Sequence, residues 1–128
     1  MYICRLFKRD QPFEQVDARL FADGSMTIGR DPAADWSRDY PSFALFADGY
    51  MLTRDGLDWF NRAYRSDRLD PRGSPLLGRM EGLPPALVST AGLDPIRDQG
   101  RAYAAALAIA GVPVTLREAA GNVHGFIN

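Results

Sequence analysis

The sequence has one cysteine, one histidine and a single lysine in 128 residues, and no apolar run long enough to cross a bilayer. Cys4 alone leaves no internal disulfide to form. With Cys4 and His124 the sole residues of their types, the usual sulfur and nitrogen ligands of a zinc site are missing. A zinc site is therefore not expected, and no other metal or cofactor is expected either. The formal net charge of -1 builds no field for nucleic acid or for an anionic membrane, so neither is expected as a partner. Arg5, Lys8, Arg9 and Asp10 interrupt the N-terminal apolar stretch, so no signal peptide is read and a cytoplasmic location is expected. Arginine replaces lysine almost everywhere, which points to coding bias more than to function. What is present is ordinary for a folded soluble chain: 46% hydrophobic and 24% charged residues, enough for one modest domain or two fragments.

The most ordered pattern lies in residues 83–128. Pro84 and Pro85 block a helix, and residues 86–91 (ALVSTA) form a short apolar run containing a β-branched valine. Such a run reads as a strand buried on both faces. Gly92-Leu93-Asp94-Pro95 breaks it, and Pro95 suits the first turn of a helix, where its missing N–H costs nothing. Residues 96–110 are good helix formers, with Ile96, Tyr103, Leu107 and Ala110 on roughly one face. Gly111 supplies a left-handed C-terminal position, residues 112–117 alternate like a strand, and residues 121–126 return to loop. Strand, helix and strand in this order make an α/β crossover with its site at the carboxyl ends of the strands.

Asp94 and His124 each follow one of these strands, and parallel neighbours would bring the two turns together. A carboxylate beside an imidazole fixes its tautomer and stabilises the imidazolium, the orienting half of a Ser-His-Asp triad. Spacing alone leaves a second reading open, in which Asp94 only caps the following helix and His124 is a loop residue.

The stretch LPPALVSTAGLDPIRDQGRAYAAALAIAGVPV followed by HGF resembles the C-terminal part of the α/β-hydrolase fold-3 enzymes, the carboxylesterases and lipases of the hormone-sensitive-lipase family. The resemblance continues upstream through Pro41-Ser42, Gly49 to Thr53, Trp59-Phe60, Tyr64 and Pro71 to Leu76, so it covers about residues 40–128. It implies that Asp94, in the family's DP(L/I)RD motif, is the triad acid and that His124, in its HGF motif, is the general base. It also implies a small carboxylic ester as substrate. The family's HGGG oxyanion motif and GxSxG nucleophile elbow occur nowhere in this sequence. Ser25, Ser37, Ser42, Ser66, Ser74 and Ser89 all lack the paired glycines of an elbow. The chain by itself is therefore expected to be nearly inactive.

Residues 1–38 follow a different pattern. Residues 1–8 and 15–21 look like short strands, Ala22-Asp23-Gly24 is a hairpin signal, and residues 25–28 continue as the next strand. This is antiparallel β-meander patterning. The stretch RDQPFEQVDARLFADGSMTIGRDPAADW resembles the opening strands of a forkhead-associated (FHA) domain of the type VI secretion kind, a phosphothreonine-binding sandwich. That resemblance implies that Arg30 contacts phosphate, while the plainer reading has Arg30 finish a turn. The two resemblances meet near residues 35–40, which suggests a chimaeric chain: a partial FHA-like segment over residues 1–38 and a partial hydrolase region over residues 39–128.

Between them, Thr53 is a plausible N-cap, and Leu57, Phe60 and Tyr64 recur at helical spacing, so residues 54–65 should form an amphipathic helix with Trp59 beside that face. Such a stripe is expected in the core; the family resemblance makes Trp59 and Phe60 weak candidates for an acyl pocket. The expected fold class is thus α/β, a truncated hydrolase C-terminal part preceded by a short β segment. Strands cut from a larger sheet expose edges, so a marginal monomer, a homo-oligomer or a complementing chain across the exposed sheet edge is expected.

Overall fold

The structure, a computed structural model, describes residues 2–6, 18–20, 25–28, 35–64, 67–71 and 73–126. In chain order the elements are β1 (Tyr2–Leu6), β2 (Ala18–Leu20), β3 (Ser25–Ile28), α1 (Pro41–Leu45), α2 (Arg54–Tyr64), a 3-10 turn at Pro75–Leu77, β4 (Ala86–Leu93), α3 (Arg97–Ile109) and β5 (Val114–Val123). The α/β class and the strand–helix–strand crossover are as the sequence pattern predicts.

β4 and β5 pair in parallel from Ala86 opposite Val114 to Ala91 opposite Ala119, and α3 makes the crossover between them. A parallel pair needs such a crossover, because a tight hairpin can join only antiparallel neighbours. Along β4 the side chains of Ala86, Val88 and Thr90 are buried while Leu87 between them is exposed, as expected where one face of a pleat packs on a helix. The buried stripe of α3 is Gln99, Gly100, Tyr103, Ala104 and Leu107, a helical repeat that meets this face. At the end of α3, Gly111 has φ +76°. Its N–H donates to the Ala108 carbonyl (3.0 Å), and the Val112 N–H donates to that of Leu107 (3.0 Å). That pair of bonds is a Schellman motif, and it turns the chain directly into β5. β5 runs to Val123, longer than the alternation over residues 112–117 suggests, because its far end is nearly all exposed and carries no apolar period.

On the other side of β4 lies β1, antiparallel, with Tyr2 opposite Ser89 and Arg5 opposite Ala86. β3 pairs antiparallel with β1 and with β2, giving the sheet order β2-β3-β1-β4-β5. The edge of β4 expected to lie open is therefore taken by β1, and the N-terminal strands share one sheet with the crossover. Nothing in the local pattern of either segment could show a pairing between strands some eighty residues apart.

The core gathers Phe43, Leu57, Met80, Ala86, Val88, Ile96, Tyr103, Ala104, Leu107 and Val112 on the α3 side of the sheet. α2 contributes Leu57, and Thr53 caps it by accepting the Gly56 N–H at 3.1 Å. The expected aromatic stripe is corrected here: Trp59 is 59% and Phe60 56% exposed, and the two rings pack edge to face with centroids 5.1 Å apart. Two residues on from Leu57, Trp59 is rotated about 200° around the helix, away from the core. Phe60 is on the nearer flank, but no described part of the chain reaches over it.

The segment between the two resemblances is tightly bonded. Asp35 is 1% exposed and accepts the Ser37 N–H (3.0 Å), the Tyr40 hydroxyl (2.7 Å), the Arg38 Nε–H (3.1 Å) and the Ser37 hydroxyl. Burial pushes its carboxyl up, but these hydrogen bonds and the Arg38 charge outweigh it and hold it below the ordinary aspartate value. The Asp35 carbonyl accepts Gln99 Nε2–H at 3.0 Å, tying this turn to α3. Pro41 then opens α1, and Trp36 stacks on Phe43 with ring centroids 6.0 Å apart.

Leu107 is fully buried and Ile109, two residues on, is 89% exposed. Leu107→Ala should lower unfolding free energy by about 2–5 kcal/mol, and Ile109→Ala by less than about 0.5 kcal/mol. Urea titrations of the two variants followed by tryptophan fluorescence check this; equal losses would place the core elsewhere.

Candidate active site

Asp94 is the first residue beyond β4 and His124 the first beyond β5, so two parallel neighbours deliver both to the same end of the sheet. His124 Nδ1 lies 2.9 Å from Asp94 Oδ2. Asp94 has no exposed surface, and the His124 side chain is 29% exposed. Asp94 Oδ1 accepts the Ile96 N–H at 3.0 Å. One carboxylate thus makes both the capping bond and the contact with the imidazole. One oxygen holds the backbone at the start of α3, and the other faces the imidazole. A buried carboxylate facing Nδ1 selects the tautomer with its proton there, in which Nε2 is the basic nitrogen.

The turn that carries Asp94 is braced from below. Asp98 Oδ2 accepts the Ser42 N–H (3.0 Å), and its Oδ1 accepts Arg97 Nε–H (2.9 Å) and an Arg101 Nη1–H (3.1 Å). The Asp98 N–H donates to Ser42 Oγ (3.2 Å), and that hydroxyl donates to the Pro95 carbonyl (2.6 Å). Arg97 also reaches the Gly92 carbonyl through Nη1 (3.1 Å) and lies over the Phe46 ring at 5.0 Å. On the β5 side, Arg101 grips Glu118 through two parallel bonds of 2.8 Å each. Ser42, Arg97 and Asp98 escaped the reading of the sequence. The second acid of the DPIRD run was the available signal, four residues after Asp94 and on the first turn of the helix.

Three serine hydroxyls are committed to structural bonds. Ser42 is held as described, Ser74 Oγ donates to the Arg68 carbonyl (2.6 Å) and accepts the Trp36 N–H (3.1 Å), and Ser37 donates to Asp35. Ser89 lies within β4, opposite Arg117. Of the residues singled out from the sequence, Asp94 and His124 are brought together, whereas Trp59 and Phe60 pack on each other at the surface of α2. Arg30 lies outside the described residues. Among the described residues no group of three or more His, Cys, Asp or Glu side chains could hold a metal ion. No helix among them is long and apolar enough to cross a membrane.

Residues 25–128 match the α/β-hydrolase fold family. The chain belongs to that family. The hydrolase match starts upstream of the junction read from the motifs, and the FHA resemblance gains no support from it. Among similar proteins, carboxylic ester hydrolase LipN of Mycobacterium tuberculosis is 44% identical over 102 residues, covering 76% of this chain and 27% of the relative. Ethyl acetate hydrolase of Pseudomonas putida is 44% identical over 100 residues, covering 75% of this chain and 31% of that protein. Among solved structures, an α/β hydrolase from the metagenome of Lake Arreo, Spain, superposes with a TM-score of 0.68 at 47% identity, covering 73% of this chain and 31% of the other. A thermostable esterase from Pseudomonas putida gives a TM-score of 0.67 at 41% identity, over 69% and 30% of the two chains. This α/β-hydrolase chain spans about three-tenths of the length of these relatives.

The Asp98 bracing has a pH signature. Burial pushes its carboxyl up, but the Arg97 hydrogen bond and charge, the Ser42 N–H and the Arg101 charge outweigh it and lower the value below that of an ordinary aspartate. A carboxylate lowered on folding contributes stability that is complete above the unfolded value, about 3.9, and is lost as pH falls from there through the folded value. Asp98→Asn should therefore cost stability at pH 7 and flatten the loss seen on acidification below about pH 5. Urea midpoints at stepped pH for both proteins test it; parallel curves would remove Asp98 from the account.

Proposed function

We propose that this chain supplies the acid and the base of a Ser-His-Asp triad that hydrolyses small carboxylic esters. The observation that carries the proposal is the 2.9 Å contact between His124 Nδ1 and a fully buried Asp94 at the carboxyl ends of neighbouring parallel strands. The names of the relatives support it, since those matched across this region are ester hydrolases. The nucleophile and the oxyanion donors come from outside this sequence, which has neither GxSxG nor HGGG.

The chemistry assigned to the pair is as follows. As a serine Oγ attacks the ester carbonyl carbon, His124 Nε2 takes its proton, and Asp94 stabilises the resulting imidazolium without itself being protonated. His124 then gives that proton to the departing alkoxide oxygen as the carbon–oxygen bond breaks, leaving an acyl-serine and a free alcohol. Water then attacks the acyl carbon and loses a proton to Nε2; as the acyl–Oγ bond breaks, Nε2 returns that proton to the serine Oγ and the carboxylic acid leaves. The missing parts would reach the pair through a complementing chain that adds to the sheet on the side of β4 where β1 pairs.

Hydrolysis of p-nitrophenyl acetate by the purified chain is expected to equal that of its His124→Ala variant. Supplying the upstream part of a matching esterase, with its serine elbow and oxyanion motif, should raise turnover, and His124→Ala or Asp94→Ala should then remove roughly three to six orders of magnitude of it. Turnover by the complemented chain that survives His124→Ala would overturn the proposal. Turnover by the chain alone that vanishes in the variant would place a nucleophile within these 128 residues.

A further inference from the structure

We propose that Gly92 is a positioning residue for the base, because it admits a bulge in β5 that sets His124 level with Asp94; this rests on reading the pair as acid and base. The ladder between β4 and β5 keeps one offset from Ala86 opposite Val114 through Ala91 opposite Ala119, 28 residues on at every step. The next pair is Leu93 opposite Val123, 30 residues on, so residues 120–122 all face Gly92. Thirty residues is also the separation of Asp94 and His124. An unbroken ladder would set Asn122 opposite Asp94, and an amide cannot serve as a base. The bulge thus decides which side chain the buried carboxylate meets, in keeping with the tendency of bulges to re-aim side chains beside active sites.

Gly92 is what lets the bulge fold inward. A Cβ built on Gly92 would stand 2.0 Å from the Ala120 carbonyl oxygen and 2.6 Å from both its carbonyl carbon and its Cα. All three are backbone atoms, so no side-chain rotation relieves the overlap. Gly92 cannot easily retreat either, because its own carbonyl is held at 3.1 Å by Arg97, which is fixed in turn by Asp98 and Phe46. Gly121, inside the bulge, is the useful contrast: a Cβ there would meet nothing within 4 Å.

The test reads the imidazole directly, by nitrogen-15 and proton NMR of the ring, and the chain has only one histidine to observe. In the unaltered chain the neutral ring should carry its proton on Nδ1, the tautomer its carboxylate partner selects. Gly121→Ala should keep that signature, and Gly92→Ala should lose it. Deleting Ala120 and Gly121 in the Gly92→Ala background restores a continuous ladder that again sets the histidine opposite Asp94, and the signature should return. Gly92→Ala with an intact signature would overturn the proposal, as would failure of the deletion to rescue it. Should Gly92→Ala not fold, the same deletion with Gly92 retained decides the matter, since the signature must survive it. None of these signals depends on turnover. A chain that behaves as stated yet never supports ester hydrolysis would retire the hydrolase reading and leave the positioning role standing.

Discussion

A carboxylate with no exposed surface must have its oxygens satisfied by the protein, and the arrangement of this chain follows from how Asp94 meets that demand. One oxygen takes the Ile96 N–H, which requires a helix to begin immediately after the strand. The other takes the His124 imidazole, which requires a second strand to end at the same level. Both requirements are met by a single crossover, β4–α3–β5, and the apolar stripe of α3 covers the face it creates. The geometry of the Asp94–His124 pair and the core packing are therefore one constraint: the helix that buries Val88 and Thr90 also fixes the strand ends from which the pair projects.

The crossover and the pair were legible because their signals are local. Proline pairs, an apolar run, a glycine stop and a second alternating run each act over a few residues, and together they specify strand, helix and strand. The capping and the imidazole-pairing readings of Asp94 could not be separated by spacing, because the same carboxylate makes both contacts. The aromatic residues of α2 misled, since helical periodicity marks which residues share a face but not how far a neighbouring layer extends. Leu57 reaches the core; Phe60, one turn along, lies beyond it. The bracing by Ser42, Arg97 and Asp98 joins positions 56 residues apart and was invisible for that reason. The pairing of β1 with β4 was hidden in the same way.

Residues 35–40 read as a seam between two patterns, yet they are among the most heavily bonded of the described residues. Asp35 collects donors from Ser37, Arg38 and Tyr40, and Gln99 of α3 reaches its carbonyl. A turn of this kind holds its shape through its own polar contacts, whatever the strands before it do. It presents Trp36 to Phe43 and delivers Pro41 to the start of α1, which places Ser42 under the Asp94 turn. The route from the seam to the Asp94–His124 pair is thus a short path of ring contact, backbone and hydrogen bonds, all inside the region matched by the hydrolase family.

The division of labour follows from topology. Asp94 and His124 both sit after strands of one crossover, so they are aligned by the packing of a single helix. A nucleophile must approach Nε2 from the other side of the imidazole, and needs donors for the oxyanion on its own element. On the proposed reading those parts would come from strands beyond β4, the side on which β1 lies antiparallel. α3 covers one face of β4 and β5, while Leu87 and its neighbours Thr115 and Arg117 on the opposite face are exposed. On the proposed reading, a strand added on the side where β1 lies would compete with β1 for the edge of β4.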